Sequence, residues 1–267
     1  MAGAWTEFVR SWERVWRQSG RWLPHGWFDA LRQLVLFAGV YYAYRIVRGL
    51  VDGQAAAAFE NARTIVDLER ALGLFFEPDL QGWAERHADW LLSVANWMYV
   101  NSHFAVTTTF LIWLYLARNR AFYYVRNMFM VAMGLALVGY VTLPTAPPRF
   151  MPELGFTDTV VGFVGQSAAQ GATVLYNPFA AVPSMHVAFA LMIAVPAVQL
   201  VRRRVLKLAW GAYPTLVTFT VIVTANHWWI DAALGALVAA VSALAASAAF
   251  ARARPEAWAW RNAEAAA

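Results

Sequence analysis

The sequence predicts an all-α membrane protein, a bundle of six transmembrane helices preceded by an amphipathic helix at the membrane interface. Of its 267 residues, 60% are hydrophobic and only 14% are charged, and the apolar residues fall in long blocks. A soluble domain of this size needs more charge to cover its surface. Blocks of ~20 apolar residues match the thickness of a hydrocarbon core.

Composition also excludes several functions. The chain has no cysteine, so disulfides, thiolate zinc sites and cysteine nucleophiles are excluded. The net charge of +5 is not gathered on a soluble basic face, so we expect no nucleic-acid partner.

Six candidate spans follow the first 30 residues, each near the ~20 residues that cross a bilayer. The first is the weakest because Arg45 and Arg48 lie near its end, and the fourth is short and contains Pro196. The spans are 31–50, 92–117, 122–143, 185–201, 206–225 and 228–250.

These spans define one membrane domain, residues 31–250, with long outer segments at 52–90 and 144–184. Residues 1–30 lack the apolar core of a signal peptide and place tryptophans at helical spacing between arginines. Two interpretations of this helix fit equally: it lies in the headgroup plane, or it packs on the rest of the protein. Residues 251–267 form a cytoplasmic tail.

The distribution of Lys and Arg predicts the orientation. With the N-terminus in the cytoplasm, fifteen of the 21 Lys and Arg residues fall on the cytoplasmic side, mostly in short loops. This is the pattern of the positive-inside rule. Both termini are then cytoplasmic, and the two long segments are extracytoplasmic.

A histidine and an aspartate begin the sixth span at the outer face. In "NHWWIDAALGAL", His227 and Asp231 are four residues apart, so a helix places them on one face. A carboxylate on one ring nitrogen fixes the tautomer and makes the other nitrogen a better nucleophile or base. Such a pair at the edge of a span indicates function, although a histidine that reaches water beside a solvated aspartate is the alternative.

A second histidine begins the fourth span at the same face. In "AVPSMHVAFALM", Ser184 is a candidate N-cap, and the backbone N–H groups near Met185 point outward. A helix start of this kind suits a phosphate, and His186 lies in the first turn beside any bound anion. Taken alone, a plain N-cap with an incidental histidine explains this pattern better.

An arginine lies in the loop that follows the third span, at the same face. "LPTAPPRF" contains Arg149, the only Lys or Arg in residues 144–184. A lone arginine on a proline-rich loop suits anion recognition, whereas an ordinary interfacial anchor is the alternative. The three elements meet at one membrane face, and this agreement favours an anion site.

Polar residues in the outer part of the second span predict a substrate pocket. Asn96, Tyr99 and His103 recur at a spacing of three to four residues on one helix face. Together with Asn177 of the outer loop, they are candidates to contact a headgroup. A polar contact between helices is the alternative.

The three elements "TAPPRF", "PSMH" and "HWWID" resemble, in order and spacing, the signature of the type-2 phosphatidic acid phosphatase superfamily. The resemblance covers roughly residues 55–250 and is closest to the branch of inositol phosphorylceramide synthases and their bacterial relatives. It implies a six-helix membrane fold with its site near one membrane face. It also implies a bacterial plasma membrane as the location.

The resemblance further implies a mechanism without a metal or other cofactor. His227 would take the phosphoryl group, Asp231 would orient it, and His186 would act as general acid and then as base. The substrate would be a lipid phosphate or diphosphate, and the acceptor water, a polyol such as inositol, or a lipid alcohol. The phosphate oxygens would be held by Arg149, Ser184 and the backbone near Met185.

The sequence departs from the phosphatase pattern of that superfamily. Thr142 occupies the position where the pattern has Lys, and Phe150 occupies the position after the Arg where the pattern has Pro. Thr220 and Val221 occupy the positions where the pattern has Ser and Arg. Two cations are therefore missing, as expected in the transferase-like branch. A non-catalytic transport or structural protein is the alternative of another class, but no span carries an acid near its middle.

Overall fold

The computed structural model describes residue 20 and residues 23–50, 54–164 and 179–250. The predicted tail and Asn177 lie outside the described residues, as does most of the predicted N-terminal helix. The described residues form ten α-helices: α1 Gly26–Leu50, α2 Ala55–Ala71, α3 Glu77–His87, α4 Asp89–Trp97, α5 His103–Ala117, α6 Asn119–Thr142, α7 Thr159–Val164, α8 Met185–Leu200, α9 Arg204–Val223 and α10 Trp229–Ala245.

Within the described part of the chain, four helical segments are long and apolar enough to cross a membrane. They are Asp89–Ala117, Asn119–Thr142, Arg204–Val223 and Trp229–Ala248. The spans predicted at 31–50 and 185–201 correspond to α1 and to α8, an apolar helix of only 16 residues. The prediction of an all-helical membrane protein is confirmed, while the count of six spans stays a prediction.

The second span is two α-helices, α4 and α5, joined by a π-helical turn at Met98–Ser102. Such a turn adds a residue to one helical repeat and rotates the residues that follow it. Asn96 lies before the turn and His103 directly after it. The 3–4 spacing that predicted one shared face for these two residues therefore does not hold across the turn.

Aromatic packing joins the helices in the middle of the bundle. Phe129 of α6 stacks on Phe189 of α8 with ring centroids 4.5 Å apart, and Phe37 of α1 lies 6.1 Å from Phe129. Between helices in lipid, association depends on dispersion contacts and hydrogen bonds. This cluster therefore holds α1, α6 and α8 together.

A polar cluster near the start of α1 fixes that helix to α5 and α6. Asp29 accepts hydrogen bonds from Tyr115 at 3.0 Å, from Tyr123 at 2.9 Å and from Gln33 at 2.9 Å. Arg126 of α6 donates to the side chain of Gln33. Because both ends of this network are held, α1 has a defined position in the bundle.

The outer helices α2 and α3 pack on the loop that follows α6. Asn61 of α2 donates to the carbonyl of Pro144 at 2.7 Å. The side-chain amide of Gln81 of α3 both donates to and accepts from the backbone of Thr157, at 3.1 Å each. The outer segment at 52–90 is thus attached to the loop that carries Arg149.

Two glycines allow the chain entering α8 to pass close to its neighbours. A Cβ on Gly235 of α10 would lie 2.3 Å from the carbonyl oxygen of Ser184, and a Cβ on Gly139 of α6 would lie 2.7 Å from Cδ of Pro183. Real Cβ atoms do not approach so closely, so both helices need glycine here. This contact sets the position of the α8 start.

We therefore predict that Gly235→Ala destabilises the protein by about 1–3 kcal/mol, the usual cost of overpacking. It should also reduce activity because the backbone of Ser184 must move. Thermal unfolding in detergent, followed by an activity assay, measures both effects. Gly134→Ala is the matched control, since a Cβ at Gly134 meets nothing within 4 Å and alanine favours a helix by about 1 kcal/mol. Equal melting temperatures for the two variants would contradict the prediction.

Candidate active site

A tight turn between α9 and α10 carries His227. The backbone N–H groups of Asn226 and His227 both donate to the carbonyl of Val221, at 3.0 and 3.1 Å. Ala225 has a φ of 53°, a left-handed conformation that is uncommon for a residue with a Cβ. The chain thus reverses within a few residues, and His227 lies at the bend rather than on the helix.

Asp231 holds the ring of His227. Nδ1 of His227 lies 3.4 Å from Oδ2 of Asp231, which is fully buried. The same oxygen accepts the backbone N–H of Trp228 at 3.0 Å. With Nδ1 directed at the carboxylate, Nε2 is the nitrogen that reaches a substrate. The pair that the spacing predicted is in contact, but His227 precedes the helix. The turn before α10, and not a shared helix face, therefore brings its ring to Asp231.

The backbone of Ser184 connects the two histidine motifs. Its N–H donates to the carbonyl oxygen of Asp231 at 3.0 Å. Ser184 takes the N-cap position of α8 as expected, but its side chain makes no capping hydrogen bond. Its hydroxyl is buried and has no hydrogen-bond partner among the described residues. Ser184 thus starts the helix while keeping its hydroxyl for another group, with the buried Met185 beside it.

His186 lies between three other rings. Its centroid is 5.7 Å from that of His227, 4.6 Å from that of Tyr99 and 4.5 Å from that of His103. His103 in turn stacks on Phe189 at 5.6 Å. Two members of the predicted pocket, Tyr99 and His103, therefore support the ring of His186.

Asn96 has a different surrounding from Tyr99 and His103. Its side chain is buried, donates to the carbonyl of Thr159 at 3.2 Å and accepts from the hydroxyl of Thr159 at 3.2 Å. It thus fixes the start of α7 to α4. The π-helical turn explains the difference, because it changes the register between Asn96 and His103.

Arg149 lies in a single 3₁₀ turn, Pro148–Phe150, directly beside the His227 turn. Its backbone N–H donates to the carbonyl of Ala225 at 2.9 Å. Its guanidinium donates to the side chain of Asn226, and its Nε is 3.5 Å from the carboxylate of Asp158. The cation is therefore oriented by two side chains before any anion binds.

Asn226 is a functional candidate that sequence reasoning missed. Its Oδ1 accepts from Arg149, and its Nδ2 donates to the hydroxyl of Thr224 at 2.8 Å. A polar residue directly before the motif histidine was the available signal. Its role depends on the distant arginine, which no local pattern reveals.

A cavity joins these groups, and two tyrosines that sequence reasoning missed form part of its wall. Tyr44 of α1 donates to the hydroxyl of Tyr140 at 3.2 Å, and Tyr140 donates to the carbonyl of Pro183 at 3.4 Å. Tyrosine is common in membrane spans, so neither residue was conspicuous in the sequence. The polar groups of the lining are Arg149, His186, Asn226, His227, Tyr44, Tyr99 and Tyr140.

The positions where the phosphatase pattern has further cations do not face this cavity. Thr142 is exposed and donates its hydroxyl to Val138, and Val221 is fully buried in the apolar core. Of the residues that the structure describes, Arg149 is the one Lys or Arg that lines the cavity. The described residues contain no cluster of His, Asp and Glu placed to hold a metal ion.

Comparison with known proteins supplies the family. A family model described as the PAP2 superfamily matches residues 63–245. No curated protein and no solved structure matches the chain. The matched range contains Arg149, Ser184, His186, His227 and Asp231, and begins after α1. Since it covers more than half of the sequence, the chain belongs to the PAP2 superfamily.

Proposed function

We propose that this protein is a membrane phosphatase or phosphotransferase that acts on a lipid phosphate or diphosphate through a phosphohistidine on His227. The observation that carries the proposal is the His227–Asp231 pair, which faces the ring of His186 across a cavity that contains Arg149. Membership of the PAP2 superfamily supports the same class of reaction.

In the first step, Nε2 of His227 attacks the phosphorus of the substrate. The carboxylate of Asp231 keeps Nδ1 of His227 protonated, and it stabilises the positive charge that develops on the ring. The P–O bond to the lipid breaks, and protonated His186 gives its proton to the departing alkoxide. The step leaves a phosphoryl group on His227 and a neutral His186.

In the second step, the neutral His186 acts as general base. It takes a proton from water or from an alcohol, whose oxygen attacks the phosphorus and displaces His227. The product is inorganic phosphate when the acceptor is water and a new phosphoester when it is an alcohol. No metal ion is required by either step.

The transferring phosphoryl group needs donors for its oxygens. Arg149 supplies a cation, and the buried hydroxyl of Ser184 supplies a donor. The first backbone N–H groups of α8, near Met185, add the positive end of the helix dipole. These groups replace part of the charge that Thr142 and Val221 do not provide.

A specific observation favours an alcohol acceptor as the second candidate function. The hydroxyl of Tyr44 donates to Tyr140, which donates to Pro183. The oxygen of Tyr44 therefore keeps its acceptor capacity for a group in the cavity. A polyol such as inositol has hydroxyl donors that fit this wall. In this candidate function the protein transfers the phosphoryl group, or the phospholipid headgroup unit, to such an alcohol.

The positive-inside distribution supports a location of the site at the extracytoplasmic face of a bacterial plasma membrane, with both termini in the cytoplasm. The substrate would then enter from the outer leaflet. The helices α2 and α3 are attached to the loop of Arg149 through Asn61 and Gln81, although no described residue of either helix lines the cavity.

The first prediction from this mechanism concerns the nucleophile. His227→Ala should lower phosphate release from lipid phosphates and diphosphates, measured with EDTA present, by at least about 10³-fold. It should also abolish an acid-labile, alkali-stable phosphoryl label on the protein. His87→Ala is the control, since His87 is exposed and its ring lies against Trp83 of its own helix. Full activity in the His227 variant would rule out the phosphohistidine.

The second prediction concerns pH. One histidine must be neutral to attack and the other protonated to donate, so kcat/KM should follow a bell-shaped profile. The acidic limb belongs to the nucleophile, which loses activity when protonated. The alkaline limb belongs to the general acid, which loses activity when deprotonated. A flat profile from about pH 5 to 9, with chemistry rate-limiting, would contradict the two-histidine scheme.

The third prediction concerns whether water or an alcohol accepts the phosphoryl group. Tyr44→Phe should reduce transfer to a polyol acceptor by about three- to tenfold, the effect of one lost hydrogen bond, and should change hydrolysis less. Product analysis with and without inositol measures both reactions. Tyr42→Phe is the matched control on the same helix, because Tyr42 is 59% exposed. An equal loss of hydrolysis and transfer would show that Tyr44 has no acceptor role.

A further inference from the structure

Two glutamates of the outer segment bind the start of the helix that carries Asp231. The backbone N–H of Trp229 donates to Glu77 at 3.2 Å, and that of Ile230 donates to Glu69 at 3.4 Å. The preceding N–H belongs to Trp228 and donates to Asp231, as described above. Three successive N–H groups at the start of α10 thus each contact a different carboxyl group.

Both glutamates are fully buried. Glu69 comes from α2 and Glu77 from the first residue of α3, so neither belongs to the helix that they bind. Glu77 also accepts the N–H of Phe76 at 3.0 Å. Within the described part of the chain, neither glutamate forms an ion pair with Lys or Arg. Among the described residues, backbone N–H groups are the partners of these two carboxyl groups.

Two adjacent buried carboxyl groups do not both ionise at neutral pH. Burial raises the pKa of Glu69 to about 9, and the neighbouring Glu77 acts in the same direction. A pair of carboxyl groups that shares one proton carries one negative charge. A carboxyl–carboxylate pair of this kind still accepts both backbone N–H groups.

We propose that Glu69 and Glu77 are positioning residues that share one proton, fix the start of α10, and place a single negative charge behind the His227–Asp231 pair. That charge stabilises the positive charge that develops on the ring of His227 as it attacks phosphorus. The proposal rests on the proposed function, because its consequence is expressed through His227.

Other titratable or charged groups near His227 also contribute to the electrostatic potential at its ring, and they belong to four elements. Their charges are the same in all the variants below, so they cancel in the comparison. They are Asp231 on α10, Arg149 and Asp158 on the outer loop, His186 on α8 and His103 on α5.

A shared proton makes a specific prediction for glutamine variants. In Glu69→Gln, the carboxylate of Glu77 keeps the charge and the new amide donates to it. In Glu77→Gln, Glu69 ionises instead and receives the same hydrogen bond. Each single variant keeps one negative charge, whereas the double variant has none. All three keep oxygen atoms that accept the N–H groups of Trp229 and Ile230.

The test is the pH dependence of kcat/KM for phosphate release. The two single variants should keep the acidic limb of the wild type, as should the control Glu60→Gln, an exposed residue of α2. In the double variant the limb should move to lower pH by about one unit, because the imidazolium of His227 loses a negative neighbour. A folded double variant with an unmoved limb would overturn the proposal, as would a single variant that moves as far as the double.

Infrared spectroscopy tests the shared proton without turnover and without the double variant. The wild type should show the carbonyl band of a protonated carboxyl group at pH 7, lost as the pH rises through about 9. Both single variants should lack it. Absence of the band from the wild type, or its persistence in both variants, would overturn the shared proton. If the wild type shows the expected bands but releases no phosphate, the two glutamates share a proton but have no catalytic role, and the proposed function fails.

Discussion

The carbonyl and carboxylate of Asp231 hold together the parts of the site that come from different helices. The carbonyl accepts the N–H of Ser184 at 3.0 Å, which joins the start of α8 to that of α10. The carboxylate contacts Nδ1 of His227 and the N–H of Trp228. Asp231 therefore fixes the positions of both histidine rings. Gly235 allows the backbone of Ser184 to lie close to α10 because glycine has no Cβ.

A fully buried carboxylate such as that of Asp231 needs compensation. The first turn of α10 provides it, because helix N-termini carry free N–H groups and a partial positive charge. The same turn also contacts Glu69 and Glu77 from the outer segment. The structure thus concentrates acidic groups at one helix start, close to the histidine that would carry the phosphoryl group. The outer segment contributes to the site through backbone contacts rather than through substrate contacts.

This member of the PAP2 superfamily has one cation, Arg149, in the described lining of its cavity. Asn226 and Asp158 orient that cation. Where the motif pattern of the superfamily has further cations, Thr142 faces outward and Val221 is buried. Binding of the phosphoryl oxygens then depends more on neutral donors such as Ser184 and on the start of α8. A wall formed by tyrosine hydroxyls is consistent with such a less charged cavity.

The sequence by itself determined the membrane class, the helical content and the position of each motif at a helix end, since hydropathy and spacing are local properties. The short spacing of His227 and Asp231 predicted their pairing, although the turn before α10, and not a shared helix face, brings the two side chains together. Tertiary structure alone decided that Tyr44 reaches the cavity, that Asn226 orients Arg149, and that Glu69 binds α10. Those contacts join residues far apart in the chain, and a helix pattern reports only the faces of its own helix. The π-helical turn also changed the register between Asn96 and His103, which a 3.6-residue period does not anticipate.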